Sequence, residues 1–219
     1  MSLRLSLYRL DAVEPELLAS VPGWLEPDQR VRAERFATAA LRRRFLAAQA
    51  RLRQHLGQQL GVSPERLVVS RDEYGKPRLI EHADLHFSLS HSGEWALVGS
   101  APVELGVDIE AEIGMSRHAV AAEFLDPGTL AEFQRRDPTL RPALLTRAWC
   151  AREALLKLDG RGLRLDPRSL RLALDLPATA TWDGDSRRAL AQALPAPAGF
   201  HACIASHAPL AVPPQLDPQ

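Results

Sequence analysis

The chain has 219 residues, of which 46% are hydrophobic and 25% charged, and its 27 basic residues balance its 27 acidic residues. This composition is that of a globular protein with its own core, and it excludes disordered, collagen-like and low-complexity classes. A net charge of zero argues against nucleic acid or an anionic membrane as the main partner. The two cysteines lack a metal-binding spacing, and no apolar run reaches the length of a bilayer span, so we predict a cytoplasmic protein. We also expect a monomer.

The first long predicted element is a mostly helical segment at residues 28–60. Its apolar residues recur at helical spacing and form one stripe: Phe45, Ala48, Leu52, Leu56 and Leu60. Between residues 30 and 53, the other faces carry eight arginines and a single acid, Glu34. This segment is a candidate for binding an anion, with a solvated helix face and a nucleic-acid interface as the alternatives.

A short strand is predicted at 85–90, where apolar and polar residues alternate, and further strands are predicted at 95–99 and 103–110. A helical period then returns. Ser116 is predicted to cap a helix that reaches about Leu125.

A longer helix is predicted to begin at Pro138 or Pro142 and to end near Gly160. Strands are predicted at 170–176 and 200–206. The last dozen residues, which are rich in proline, are expected to form a frayed tail.

One short segment indicates an internal duplication. Residues 93–100 can be laid over residues 199–206, and three of the eight positions are identical. We therefore predict an α+β fold, built as a pseudo-dimer of two similar α+β halves that comprise residues 1–104 and 105–219. A ligand cleft is expected between the halves.

A few charged side chains indicate the chemistry. Asp108 and Glu110 lie two residues apart on a predicted strand, so both carboxylates project from one face. Glu153 and Lys157 lie one turn apart on the predicted longer helix. Taken separately, the first pair also fits a solvated acidic face, and the second an ordinary ion pair. Lys157 and Lys76 are the only lysines in the sequence, and a lysine is a compact point charge suited to phosphate.

Taken together, three carboxylates with lysine and histidine suit a divalent cation that holds a diphosphate, and oxygen ligands of this kind favour Mg²⁺. Four motifs occur in order: EYGKP at 73–77, FSLSHS at 87–92, GVDIE at 106–110 and WCAREALLK at 149–157. In this order and spacing they resemble the 4′-phosphopantetheinyl transferases of the larger, surfactin-synthetase-activating type, a pseudo-dimeric family.

The resemblance implies Mg²⁺-dependent transfer of the phosphopantetheine arm of coenzyme A to a serine of an apo acyl or peptidyl carrier protein, with release of adenosine 3′,5′-bisphosphate. It implies that Asp108, Glu110 and Glu153 hold Mg²⁺. The implied catalytic residues are Glu153, a candidate base, with Lys157 and Asp108, which act with the metal on the phosphate charge. Contacts to the nucleotide and its 3′-phosphate are implied for Arg30, Arg32, Arg44, Lys76, Ser90 and His91.

Three positions depart from the residues that are usual in the family. Arg152 stands where Lys is frequent, Ser88 where Asn is frequent, and Gln29 where a phosphate-binding Lys can occur. Two other functions stay open. One is a different Mg²⁺-dependent phosphohydrolase that uses the same carboxylates, and the other is a non-enzymatic module that binds anions or nucleic acid through residues 30–53.

Overall fold

The computed structural model describes residues 2–114, 120–213 and 216 of the chain. The first strand and the helices after it are β1 (Arg4–Arg9), α1 (Pro15–Trp24), α2 (Pro27–Glu34) and α3 (Ala39–Leu60). The Thr38 side chain accepts a hydrogen bond from the Leu41 amide at the start of α3, and Gly61 ends the helix with a φ of 71°. The predicted helical segment is therefore confirmed as two helices, α2 and α3.

The next elements are β2 (Val69–Arg71), β3 (Pro77–Leu79), β4 (His86–Ser92) and β5 (Trp95–Ala101). A three-stranded antiparallel sheet forms in the order β1-β5-β4, and β2 and β3 form a separate ribbon. The apolar stripe of α3 packs on the sheet through the buried side chains of Phe45, Leu52 and Leu56. This arrangement leaves β4 at one edge of the sheet.

The remaining elements are β6 (Leu105–Ala111), α4 (Ala121–Phe124), α5 (Pro127–Arg135), α6 (Arg141–Asp159), β7 (Leu170–Arg171), β8 (Ala178–Trp182), β9 (Arg188–Leu194) and β10 (Phe200–Ser206). The strands form an antiparallel sheet in the order β6-β10-β9-β8-β7, and α6 packs on it. A Cβ atom at Gly106 would overlap the carbonyl oxygen of Ala154. Gly106 therefore lets α6 lie directly against β6, which brings the polar residues of both elements together.

These helices and antiparallel sheets confirm the α+β class. The strand predicted at 170–176 is wrong in extent, because only Leu170–Arg171 pairs. The frayed tail is also wrong in part, because Leu216 is buried and Leu210 and Val212 pack on the same core cluster. The predicted cap Ser116 lies outside the described residues. Within the described parts of the chain, no helix is long and apolar enough to cross a bilayer.

The two main sheets meet edge to edge along β4 and β6. Ser88 Oγ accepts a hydrogen bond from the Val107 amide at 3.0 Å, and Ser92 Oγ accepts one from the Ala111 amide at 3.1 Å. Between them, Ser90 Oγ donates to an Asp108 carboxylate oxygen at 2.6 Å. We call these three residues, Ser88, Ser90 and Ser92, the serine seam. The seam joins the acidic strand β6 to the other sheet.

A buried histidine connects α3 to the first sheet. His55 is fully buried, with Nε2 2.8 Å from Ser100 Oγ and Nδ1 3.1 Å from Ser6 Oγ. Burial, and to a smaller degree the charge of Arg4, lowers the pKa of His55 from 6.5 to about 4. Between these two pH values the unfolded chain therefore binds a proton that the folded chain does not bind.

We expect the free energy of unfolding to fall as the pH drops from about 6.5 to about 4, by at most about 3 kcal/mol, because protonation of His55 favours the unfolded chain. Above pH 6.5 this stabilisation is fully present. In His55→Gln this part of the pH dependence should disappear, while carboxylates elsewhere still titrate. Urea unfolding of both proteins at several pH values measures the difference, and parallel curves would show that His55 does not cause it.

Candidate active site

A cavity of about 530 Å³ opens beside the serine seam. Its walls come from α2, α3, the segment around β2 and β3, β4 and α6. One group of lining side chains is apolar: Leu52, Val69, Phe87 and Leu156. Another group is charged or titratable: Arg32, Arg71, Lys76, His91, Glu153 and Lys157. An apolar wall combined with several basic groups suits a ligand that carries phosphate.

Asp108 connects the seam to α6. Its side chain is only 2% exposed. This burial contradicts the alternative that Asp108 lies on a solvated acidic face. Its Oδ1 accepts hydrogen bonds from Ser90 Oγ at 2.6 Å and from Lys157 Nζ at 2.7 Å. Its Oδ2 is also buried but has no hydrogen-bond partner in the described structure. One oxygen of a buried carboxylate is thus left for another ligand.

Glu110 and Glu153 add two more carboxylates near Asp108. Burial raises the pKa of Glu110, and the charge of Asp108 raises it further. Burial raises the pKa of Glu153 as well, with a further increase from Asp108, while Lys157 opposes it. Because the charge of Asp108 disfavours ionisation of both glutamates, a cation between the carboxylates would favour their charged forms.

The carboxylates are not arranged as a closed metal cage: in the described part of the chain, no group of three acids, histidines or cysteines has that geometry. They nevertheless fit Mg²⁺ in chemistry, because this ion usually takes one or two carboxylates and completes its shell with water and phosphate oxygens. The unpartnered Oδ2 of Asp108 is a hard oxygen donor of the required kind.

His91 and Arg32 form a basic part of the cavity wall. The side chain of His91 is exposed on this wall. Its pKa is still lowered, because the surrounding protein desolvates the ring and because Lys157 and Arg32 add positive charge. The Arg32 guanidinium lies over the Phe45 ring, 5.4 Å from its centroid. Both groups are placed to donate to a phosphate.

Arg30 and Arg44 do not line the cavity and bind other groups. Arg30 Nε donates to the Leu25 carbonyl at 2.8 Å. Arg44 forms an ion pair with Asp11 at 3.5 Å. The nucleotide role of these two arginines stays a prediction.

Lys76 lines the cavity, but its amine is already engaged. Its Nζ donates to the Leu158 carbonyl at 2.6 Å and lies 3.5 Å from Glu104. Burial lowers the pKa of Lys76, although Glu104 opposes this effect. The bond to Leu158 satisfies a carbonyl near the end of α6 and connects the β3 region to that helix.

Several arginines of the segment 30–53 hold the helices in place. Arg53 is 1% exposed and donates to the Leu67 carbonyl at 2.9 Å and to Glu26 at 3.0 Å. Arg43 donates to the Val13 carbonyl at 3.1 Å. These contacts reduce the number of arginines that are free to bind a polyanion.

The cavity also contains polar residues that sequence reasoning missed as ligand contacts. Arg71 donates to the Gly75 carbonyl at 2.9 Å and lies 3.2 Å from Asp28, and Gln49 lies nearby on α3. Strand β2 has only three residues, so no periodic signal indicated the direction of Arg71. Gln29 is buried and lines the cavity at the position where the family can carry Lys.

Arg152 is held by contacts with residues outside its own helix. It is fully buried, donates to the Phe124 carbonyl at 3.1 Å and pairs with Asp126 at 3.6 Å. Burial lowers its pKa to about 10. Arg152 therefore connects α6 to α4 and α5, and it is not among the residues that line the cavity.

Two family models match the chain in succession. A model described as the 4′-phosphopantetheinyl transferase superfamily matches residues 104–204, and one described as 4′-phosphopantetheinyl transferase, N-terminal, matches residues 14–103. The boundary between the matches falls just before β6.

Curated relatives carry the same enzyme name. The 4′-phosphopantetheinyl transferase HetI of Nostoc sp. is 31% identical over 72% of this chain and 69% of its own length. The transferase psf-1 of Bacillus pumilus is 31% identical over 69% of this chain and 66% of its own length. Sfp of Bacillus subtilis is 27% identical over 70% of this chain and 69% of its own length. The alignments thus span about two thirds of each relative.

Proposed function

The chain belongs to the 4′-phosphopantetheinyl transferase superfamily, and on this premise we propose that it transfers phosphopantetheine from coenzyme A to a serine of an apo acyl or peptidyl carrier protein. The observation that carries the proposal is Asp108, which does not itself line the cavity but binds two residues that do, Lys157 and Ser90, through one oxygen. Its other oxygen has no partner among the described residues. The cavity is the coenzyme A site in this proposal. A cytoplasmic, monomeric enzyme stays a prediction.

Asp108, Glu110 and Glu153 would hold Mg²⁺, which when bound supplies positive charge to the pyrophosphate oxygens of coenzyme A. The serine Oγ of the carrier attacks the phosphorus that bears pantetheine, and the bond from this phosphorus to the bridging oxygen breaks. Glu153 takes the serine proton, and Lys157 stabilises the charge that develops on the departing adenosine 3′,5′-bisphosphate.

The nucleotide phosphates are bound by the basic cavity wall in this proposal. Arg32, Arg71 and His91 contact them directly, while Lys76 lies at the same wall and also bonds the end of α6. Residues 1–104 supply these contacts, and residues 105–219 supply the carboxylates and α6. The sequence duplication supports a pseudo-dimeric arrangement, because β5 and β10, which carry the matching segments, each have a strand on both sides.

Intact-mass measurement of an apo carrier protein with coenzyme A and Mg²⁺ tests the function. We expect the carrier to gain the mass of one phosphopantetheine group, with no gain for a carrier whose acceptor serine is replaced by alanine. Cleavage of coenzyme A without modification of any carrier would support the phosphohydrolase alternative. Binding that depends steeply on salt, with no reaction, would support the anion-binding module.

We expect His91→Ala to weaken coenzyme A binding by roughly ten- to a hundredfold, because a hydrogen bond to a charged phosphate is lost. Dephospho-coenzyme A lacks the 3′-phosphate, so its affinity should change much less. Isothermal titration with both ligands measures the two effects. His86→Ala is a matched control on the same strand, because His86 lies 4.0 Å from Glu104 and outside this cavity. Equal losses of both ligands in His91→Ala would remove the 3′-phosphate role.

A further inference from the structure

The Glu110 carboxylate is held from two sides. Ser92 Oγ of β4 donates to Oε2 at 2.9 Å, and the indole Nε1 of Trp149 on α6 donates to Oε1 at 3.4 Å. The two donors belong to different elements, Ser92 to strand β4 and Trp149 to helix α6. Each oxygen of Glu110 therefore has its own partner within the described structure.

Both donors are themselves fixed. Ser92 Oγ also accepts a hydrogen bond from the Ala111 amide at 3.1 Å, which sets the direction of its own proton. The Trp149 ring packs edge-on against Phe124, with 5.0 Å between the ring centroids. Donors that are locked in this way can orient a flexible glutamate without ordering themselves at the moment of binding.

Glu110 needs orientation more than Asp108 does. A glutamate has one more rotatable bond than an aspartate, and Asp108 is already fixed by Ser90 and Lys157. A carboxylate oxygen that accepts one hydrogen bond keeps a further lone pair for a cation, so the two donors are compatible with metal binding.

We propose that Ser92 and Trp149 are positioning residues that hold the Glu110 carboxylate in the direction required to bind the divalent cation. This inference rests on the proposed function, which makes Glu110 a metal ligand. Neither residue touches the substrate in this account, and both act through Glu110. Partners of metal ligands typically contribute about ten- to a hundredfold to metal affinity.

Direct titration of the protein with Mn²⁺, followed by electron paramagnetic resonance in the absence of carrier protein, tests the inference. We expect Ser92→Ala and Trp149→Phe each to weaken Mn²⁺ binding about tenfold. Ser92→Thr keeps the hydroxyl and should restore near wild-type affinity. In transfer assays, Ser92→Ala and Trp149→Phe should need more Mg²⁺ than the wild type to reach the half-maximal rate. Their loss of transfer rate should be smaller at saturating Mg²⁺ than at limiting Mg²⁺.

Ser88→Ala is the matched control, because Ser88 belongs to the same seam but, among the described residues, accepts from the Val107 amide and donates to no carboxylate. It should change the stability of the seam and leave the Mn²⁺ affinity within about twofold, since no carboxylate loses a donor. If Ser92→Ala does not fold, Trp149→Phe tests the inference alone, because it keeps the ring contact with Phe124.

Asp108→Ala separates the two possible failures. If it abolishes Mn²⁺ binding while Ser92→Ala and Trp149→Phe bind as tightly as the wild type, the positioning inference is wrong and the metal site stands. If Asp108→Ala leaves Mn²⁺ binding unchanged, the proposed metal site is wrong, and the inference is overturned with it.

Discussion

Replacing Asp108 with alanine should reduce the rate of phosphopantetheine transfer by about a thousandfold or more, which corresponds to about 4 kcal/mol of lost stabilisation of the transition state. The substitution removes two roles of the Asp108 carboxylate at once. Oδ2, the proposed metal ligand that has no partner among the described residues, is lost, and Lys157 Nζ loses the oxygen that holds it at 2.7 Å. Lys157 would then be free to turn toward the Val107 carbonyl, which it already contacts at 3.2 Å, or toward Glu153.

The fold should survive this substitution. Losing hydrogen bonds to a buried carboxylate costs about 1–3 kcal/mol, but removing Asp108 also relieves the repulsion that raises the pKa of Glu110 and Glu153. Circular dichroism and thermal unfolding check the fold, and single-turnover mass measurements give the rate. Glu112→Ala is a matched control, since Glu112 is an exposed acid just beyond β6 that lies 3.4 Å from His201. Near-normal transfer by folded Asp108→Ala at ordinary Mg²⁺ concentrations would refute the metal assignment.

Glu153→Gln should lower the transfer rate by roughly a hundred- to ten-thousandfold, the range typical of a lost general base. Glutamine keeps the shape of the side chain and one carbonyl oxygen but removes the negative charge and the basicity. If Glu153 only binds the metal, excess Mg²⁺ should restore much of the rate, because mass action offsets weaker binding. If it is also the base, part of the deficit should persist at saturating Mg²⁺, and this is the result that we expect.

Single-turnover rates of Glu153→Gln at saturating coenzyme A, carrier protein and Mg²⁺ distinguish these roles. A rate within a few-fold of the wild type would eliminate the base. A large deficit that does not respond to Mg²⁺ would instead eliminate a role that is limited to metal binding.

The elements around the cavity could be predicted because local signals mark them. Proline begins and glycine ends the helix that carries Glu153 and Lys157, and α6 runs from Arg141 to Asp159 as expected. The alternation at 85–90 and 103–110 predicted β4 and β6 closely, and β10 spans Phe200–Ser206. These signals are local in sequence, so they do not depend on how the chain packs.

Strand β9 was missed because it lacks such a signal. β9 (Arg188–Leu194) reads RALAQAL, and alanine, leucine, arginine and glutamine all favour helices. It is a strand because it lies between β8 and β10 in the sheet, so that pairing overrides its propensity. β8 differs, because its sequence ATATW does alternate apolar and polar residues over five positions, a signal from which no strand was predicted.

Tertiary packing also determines which side chains contact Asp108 and which line the cavity. The sequence placed Asp108 and Glu110 on one strand face but gave no sign that β4 would cover Asp108 and donate to it through Ser90. Ser90 was predicted as a nucleotide contact, and its position on the cavity wall keeps that role as a proposal. Arg30 lies two residues before Arg32 on α2, yet of this pair only Arg32 lines the cavity, because residues two apart on a helix point in nearly opposite directions. Arg44 belongs to a different helix, α3.

In the proposed mechanism, Asp108, Glu110 and Glu153 hold a cation against the pyrophosphate of coenzyme A. Phosphorus NMR of coenzyme A bound to the enzyme, with Mn²⁺ added in place of Mg²⁺ and no carrier protein present, tests it most directly. We expect the paramagnetic ion to broaden the pyrophosphate resonances far more than the 3′-phosphate resonance, and this effect should vanish in Asp108→Ala. Equal broadening of all the phosphates, or unchanged broadening in Asp108→Ala, would contradict the account.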